Sequence, residues 1–339
     1  MMIQTLGFNP EFKDQADRLR REGQSLARVT AVNRGTYLVR DEAGERPAEL
    51  AGRFRYHAEN PMDLPCVGDW VLERLRHHGE LAIIQNVLPR QSFLRRKSAG
   101  SAVGFQMIAA NIDVVFIVQS CHVDFNVRRL DRYLAMALDG HVEPVILLTK
   151  SDLISADELV AMLGALRQNG ITVPLIPLST LTPGGLDDFK SLLTPGRTYC
   201  LIGSSGVGKT SLVNRLSASE AFETNAVSAT GEGVHTTSRR QLVVLDQGAM
   251  LVDTPGMREL SLLDAEEGIR EGFEDIRDLA RSCRYADCSH TREPHCAVLK
   301  ALAEGVLKKE RVQSFLKLKA ESERQALTYE GKRKRDRSA

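Results

Sequence analysis

The sequence predicts a multi-domain α/β chain in three parts: a small antiparallel β-barrel, a doubly wound α/β domain built around a phosphate-binding loop, and a helical domain organised by a metal. Three observations predict it. Residues 24–95 alternate in short strand-like runs punctuated by Gly35, Gly44, Gly68 and Gly79. From Asn111 onward apolar runs alternate with helical patterns, and one of them runs straight into Gly203-Ser-Ser-Gly-Val-Gly-Lys-Thr210. Beyond Leu263 the chain turns helical and carries Cys283, Cys288, His290 and Cys296 in close succession.

A chain of 339 residues is too long for one ordinary domain, and 42% hydrophobic residues suffice for real cores. The net charge of +1 singles out no class of partner. No apolar run approaches the roughly 18 residues that span a bilayer. Met1 to Lys13 lacks the basic-then-apolar pattern of a signal peptide. These features point to a cytoplasmic protein that does not enter membranes. Cys66, Cys121 and Cys200 stand among apolar residues as core thiols, so the six cysteines read as a reducing compartment with a metal site, not a disulfide framework.

Residues 1–23 read as a polar, partly helical arm. In residues 24–95, Ala27 to Val32, Thr36 to Val39, Asp69 to Leu72 and Leu81 to Ile84 are strand-like. About five short strands over this length suggest an OB-fold, with an SH3-like barrel as the alternative. Arg90 to Gly104, rich in Arg, Gly and Ser, reads as a linker. In residues 104–260 the strands are Ile112 to Val118, Val145 to Leu148, Val173 to Leu178, Thr198 to Ile202, Leu242 to Leu245 and Met250 to Val252. Asn126 caps a helix running to Asp139, and Ser155 to Glu158 is a capping box that opens another. Residues 261–328 form the helical domain. Residues 329–339 form a basic tail, Lys332-Arg-Lys-Arg-Asp-Arg337, solvated by default and suited to RNA phosphates.

Gly203, Ser204, Ser205, Gly206, Val207, Gly208, Lys209, Thr210 and Ser211 form the phosphate cradle and the start of its helix. The glycines let backbone N–H groups approach phosphate oxygens, and the helix from Thr210 points its positive end at them. Lys209 reaches the β- and γ-phosphates and Thr210 binds Mg²⁺. Asp253 ends an apolar strand, as a Mg²⁺-holding acid does, and Gly256 of Asp253-Thr-Pro-Gly256 offers its N–H to the γ-phosphate.

The loop alone says nucleoside triphosphate. Thr149-Lys150-Ser151-Asp152, at the carboxyl end of a strand, supplies the base: an Asp carboxylate accepts from both N1–H and the N2 amine of guanine, and Lys150 lies along the purine. Thr149 stands where Asn is usual in this signature. Ser179-Thr180, after the next strand, is placed to offer backbone N–H groups to the guanine carbonyl. The base reader precedes the phosphate cradle here, the reverse of the ordinary GTPase order, so the domain is a circularly permuted GTPase. Met257 fills the position where many GTPases carry a water-orienting Gln. Gly233-Val-His235-Thr-Thr237 lies where the first switch belongs, which makes Thr236 and Thr237 Mg²⁺ and γ-phosphate contacts and His235 the candidate to position the attacking water.

Cys283-x₄-Cys288-x-His290-x₅-Cys296 is a Cys₃His set that suits tetrahedral, structural Zn²⁺. His295 is a competing imidazole, less favourably placed beside Cys296.

The permuted motif order, the N-terminal barrel, Gly-x-His235-Thr-Thr and the Cys-x₄-Cys-x-His-x₅-Cys spacing together resemble the RsgA (YjeQ/YloQ-type) family of small ribosomal subunit biogenesis GTPases. The resemblance spans roughly residues 25–325. It implies an RNA-binding OB-fold, a permuted GTPase domain and a zinc-binding helical domain. It implies GTP hydrolysis stimulated by the 30S subunit during its late maturation, with His235 acting for the missing Gln. GTP/GDP with Mg²⁺ and one structural Zn²⁺ are the implied cofactors, and the 30S subunit with its 16S rRNA is the implied partner of a monomer. Two rival readings remain: a P-loop ATPase or kinase in which 149–152 is only a turn, and a nucleotide-dependent RNA-binding scaffold with negligible hydrolysis.

Overall fold

A computed structural model describes residues 3–33, 35–58, 60–97, 105–122, 125–182, 185–204, 206–216, 240–253 and 265–336. The chain opens with a single turn at Ile3–Leu6 and helix α1 (Pro10–Leu19). Asn9 caps α1 by accepting the Phe12 N–H at 3.0 Å, and Pro10 occupies its first turn. The arm is not a free polar segment. Leu6, Phe12 and Ala16 are buried, and Phe8 and Phe12 lie 5.1 and 5.9 Å from the Trp70 ring. The helical spacing of Phe12 and Ala16 gives α1 one apolar stripe, and Trp70 gives that stripe somewhere to go.

The barrel comprises β1 (Ser25–Asn33), β2 (Thr36–Arg40), β3 (Glu45–Leu50), helix α2 (Gly52–His57), β4 (Trp70–Arg76) and β5 (Leu81–Val87). β1 pairs antiparallel with β2 and with β4, β2 with β3, and β4 with β5, while β3 and β5 run parallel. This ring with a helix between its third and fourth strands is the OB arrangement, and the parallel β3–β5 seam is foreign to an SH3-like meander. Alternate residues Ala27, Val29, Val39, Val71, Ala82 and Ile84 fill its interior.

The expected linker at 90–104 is instead partly a strand. β6 (Phe93–Lys97) pairs antiparallel with β7 (Phe105–Ala110). Leu94 is fully buried, and the Arg95 guanidinium lies 4.3 Å from the Phe105 ring and 2.9 Å from Asp139. Arg90 pairs with Asp69 at 2.8 Å and Arg96 with the Gln106 side chain at 2.9 Å, so the arginines of the expected linker are engaged with the fold.

The α/β part follows as β8 (Val114–Ser120), α3 (Val127–Asp139), β9 (Glu143–Thr149), α4 (Ala156–Gln168), β10 (Leu175–Leu178), α5 (Gly185–Ser191), β11 (Thr198–Ile202), α6 (Lys209–Leu216), β12 (Arg240–Val244) and β13 (Met250–Asp253). The strand order is β10-β9-β8-β11-β13-β12, parallel except for β12. Every residue of β8 and β11 is buried, as expected for strands covered on both faces. The chain moves outward from β8 to β10, then returns to lay β11 beside β8. Ligand crevices in such sheets lie at the carboxyl ends of strands where the order reverses, here β8 and β11. β12 also pairs with β1 at Ala31↔Gln241 and Val32↔Arg240, which joins this sheet to the barrel.

Helices α7 (Glu266–Gly272), α8 (Glu274–Ala280), α9 (Ala297–Ala303) and α10 (Lys309–Asp336) complete the described chain. α10 runs through the start of the expected basic tail, ending at Asp336. A Cβ on Gly268 would lie 1.9 Å from the Ala135 carbonyl, so α7 crosses α3 at a distance only glycine allows. α3 also binds α10: Arg132 meets Glu321 at 2.6 and 2.9 Å, and the Ser314 hydroxyl donates to Asp131. Buried Arg311 of α10 is held by Asp275 at 2.9 Å and lies 3.9 Å from the Phe273 ring.

Candidate nucleotide site and metal centre

The phosphate loop leaves β11 at Gly203 and enters α6 at Lys209. Gly203 has φ +148, and a Cβ there would lie 2.3 Å from the Val118 carbonyl of β8. The loop can therefore settle on the sheet edge only with glycine at this position. Lys209 Nζ donates to the carbonyls of Gly203, at 2.7 Å, and Ser204. Thr210 and Ser211, in the first turn of α6, are exposed at the mouth of the loop.

The segment 149–152, expected to read the base, leaves β9 immediately beside this loop. Thr149 is buried, and its hydroxyl donates to the Val207 carbonyl at 2.6 Å. Lys150 has φ +57, a left-handed turn that directs its ammonium to the Gly206 carbonyl at 2.9 Å. Ser151 and Asp152 begin a short 3₁₀ turn, with Asp152 exposed. β10 pairs Leu178 with Thr149, which sets Ser179 and Thr180 alongside Lys150 and Ser151. The Ser179 hydroxyl accepts from the N–H of Leu181 at 3.0 Å and closes the turn, and the Thr180 carbonyl accepts from Arg215 of α6. Beneath the base loop, burial and then Asp152 push the Cys121 thiol up to about 11, so it stays neutral.

Residues 149–152, 179–180, 203–204 and 206–211 thus lie along one rim of the sheet. Asp253 ends β13 on that sheet, with Asp253↔Gln241 its last pair to β12. Ser205, His235, Thr236, Thr237, Gly256 and Met257 lie outside the described residues. Sequence reasoning missed Arg129. It sits in the first turn of α3, where the Asn126 cap at 3.2 Å fixes the helix start, and its guanidinium donates to the Ser204 hydroxyl of the phosphate loop. The cap was legible in the sequence, but the direction of Arg129 depends on α3 packing over β8 and β9, next to the phosphate loop.

In the helical part, the ligand atoms of Cys283, Cys288, His290 and Cys296 all lie within 4.8 Å of one another. Sulfurs bound tetrahedrally to zinc at about 2.3 Å stand about 3.8 Å apart. The Cys283 and Cys296 sulfurs are 3.8 Å apart, and His290 Nδ1 is 3.6 and 3.4 Å from them. These three spacings and the Cys₃His chemistry of the set are compatible with Zn²⁺. Burial and then the charge of Lys319 hold the His290 imidazole below its usual range, which favours the neutral ring that binds metal. His295 is exposed and outside the cluster, so the competing imidazole is eliminated. The Glu293 carboxylate braces the loop, accepting from the N–H groups of Ser289, Thr291 and Arg292 at 2.9, 3.1 and 3.1 Å.

A model of the RsgA GTPase family matches residues 87–263. Small ribosomal subunit biogenesis GTPase RsgA 2 of Lactiplantibacillus plantarum is 42% identical over 328 residues, covering 96% of this chain and 92% of that protein. Small ribosomal subunit biogenesis GTPase RsgA of Methanosarcina acetivorans is 43% identical over 255 residues, covering 75% of this chain and 69% of that protein. Among solved structures, YjeQ from Thermotoga maritima superposes with a TM-score of 0.66 at 26% identity, covering 87% of this chain and 97% of that one. YloQ, described as a circularly permuted GTPase, superposes with a TM-score of 0.64 at 25% identity, covering 89% of this chain and 96% of that one.

Proposed function

This chain belongs to the RsgA GTPase family, and on that premise we propose that it hydrolyses GTP to GDP and phosphate in the service of small ribosomal subunit maturation. The observation that carries the reading is the clamp between base reader and phosphate loop: Thr149 on Val207 and Lys150 on Gly206, at the reversal point of the sheet. The two ties hold the loop that carries Asp152 against the phosphate loop, as a single nucleotide spanning both loops requires.

In this reading Asp152 selects guanine. Ser179 and Thr180 offer N–H groups to its carbonyl, and residues 203–211 with Gly256 hold the phosphates. Thr210, Thr236, Thr237 and Asp253 would hold Mg²⁺. His235 positions the attacking water, because Met257 has no group that can. Cys283, Cys288, His290 and Cys296 hold one structural Zn²⁺. Residues 24–95 are the RNA-binding barrel, 104–260 the GTPase domain and 261–328 the zinc domain, with 1–23 and 329–339 as arm and basic tail. The partner is the small subunit with its 16S rRNA, met in the cytoplasm by a monomer. Among the described residues no helix is long and apolar enough to cross a membrane.

Competition binding of GTP against ATP tests the base assignment. Wild type prefers GTP, and Asp152→Ala loses that preference by about 5- to 150-fold, the worth of a bidentate pair of about 1–3 kcal/mol. Equal affinity for the two nucleotides in wild type removes the guanine reading.

A further inference from the structure

The proposal concerns Thr149 and rests on the guanine reading above. A threonine hydroxyl has one proton to donate. Here it lies 2.6 Å from the Val207 carbonyl, with the Gln119 carbonyl a weaker alternative at 3.3 Å. Both acceptors are backbone oxygens of this chain, and Thr149 is 3% exposed. Guanine presents donors to Asp152 and keeps N7 and O6 as acceptors. An asparagine at this position has two amide N–H groups, so it can hold the loop with one and serve a base acceptor with the other. Threonine has nothing left over after Val207.

We propose that Thr149 is a clamp for the phosphate loop and not a reader of the base, so that guanine N7 receives no donor from this position. The neighbouring tie strengthens the assignment. Lys150 Nζ is held by the Gly206 carbonyl at 2.9 Å, so two successive carbonyls of the phosphate loop are gripped by two successive residues of the base loop. The two loops then form one preorganised unit, and the loss of either tie is felt by the whole nucleotide. Guanine selection is left to the Watson–Crick edge at Asp152. The specificity that follows is distinctive: tolerance of purines altered at N7, intolerance of those altered at N1 or the N2 amine.

The test compares the affinities of GDP, 7-deaza-GDP, in which carbon replaces the N7 acceptor, and ADP for the full chain by calorimetry. Wild type is expected to bind 7-deaza-GDP within about twofold of GDP. Thr149→Val, which keeps the shape and removes the proton, is expected to weaken GDP and 7-deaza-GDP by the same factor, about 2- to 12-fold for one hydrogen bond. Thr149→Ser restores both, which separates the lost hydroxyl from a packing defect. A fivefold or larger preference of wild type for GDP over 7-deaza-GDP overturns the proposal, as does unchanged GDP affinity in Thr149→Val. ADP binding as tightly as GDP sinks the guanine reading instead, which keeps the two failures distinguishable.

Discussion

Glu73 lies inside the barrel with no exposed surface, and its strongest neighbour is Arg46 at 3.2 Å. Burial raises its carboxyl from 4.5 to about 7, with Arg46 opposing and Asp41 adding to the rise. A folded-state pKa above the unfolded one means that the folded chain holds the proton longer. The stability this contributes is complete below about 4.5 and is lost as pH rises through about 7. Wild type should therefore lose up to about 3 kcal/mol of stability between pH 5 and pH 8, and Glu73→Gln should flatten that slope in urea melts. Identical slopes would show that Glu73 does not carry the proton. Thr149 and Arg129 teach a related lesson at this scale. The sequence showed that Thr149 was not Asn, but the acceptor it found, a backbone carbonyl 58 positions away, depends on two loops meeting.

At the scale of elements, α3 does more than cover the sheet. Its first turn touches the phosphate loop through Arg129, its middle binds α10 through Asp131 and Arg132, and its last turns meet α7 at Gly268. Arg132 and Glu321 are partly shielded and bidentate, so the pair should be worth about 1 kcal/mol. In a double-mutant cycle Arg132→Ala and Glu321→Ala should each cost about that much, and together no more than one alone. Additive losses would show that the two side chains act independently. The metal loop is a second such element. One zinc per chain by elemental analysis is expected, and Cys283→Ser should abolish it. Chelation should raise amide exchange in α8 and α9, since this region relies on its ligands for order. Full protection after chelation would contradict a structural metal.

The elements also show what could be read beforehand. The Asn126 cap and the Ser155–Glu158 capping box both hold, because capping is chemistry between neighbours in sequence. β6 was hidden, because Phe93-Leu94 is a short apolar run among arginines and becomes a strand only when β7 lies beside it. α1 was legible as a helix but not as core, since its burial depends on the Trp70 ring.

At the scale of the molecule, the permutation determines which parts adjoin. β12 emerges from the segment that carries His235, Thr236 and Thr237, and pairs with β13 on one side and with barrel strand β1 on the other. The base-reading half instead adjoins α3, and through it α7 and α10. The sheet that carries the candidate site is thus connected to the barrel through β12 and to the helical part through α3. The order of motifs announced the permutation before any coordinate did. The β1–β12 seam could not be foreseen, because it joins a barrel strand to a strand of the α/β sheet through short backbone pairing with no side-chain pattern of its own. The measurement that bears most directly on the account is multiple-turnover GTP hydrolysis by the purified chain, with and without purified small ribosomal subunits, for wild type and His235→Ala. The account predicts slow turnover alone, stimulation of about 100-fold or more by the subunits, and loss of that stimulation in His235→Ala with GTP binding intact, a change of the size expected for a lost catalytic group. Turnover by wild type that the subunits leave unchanged would contradict it.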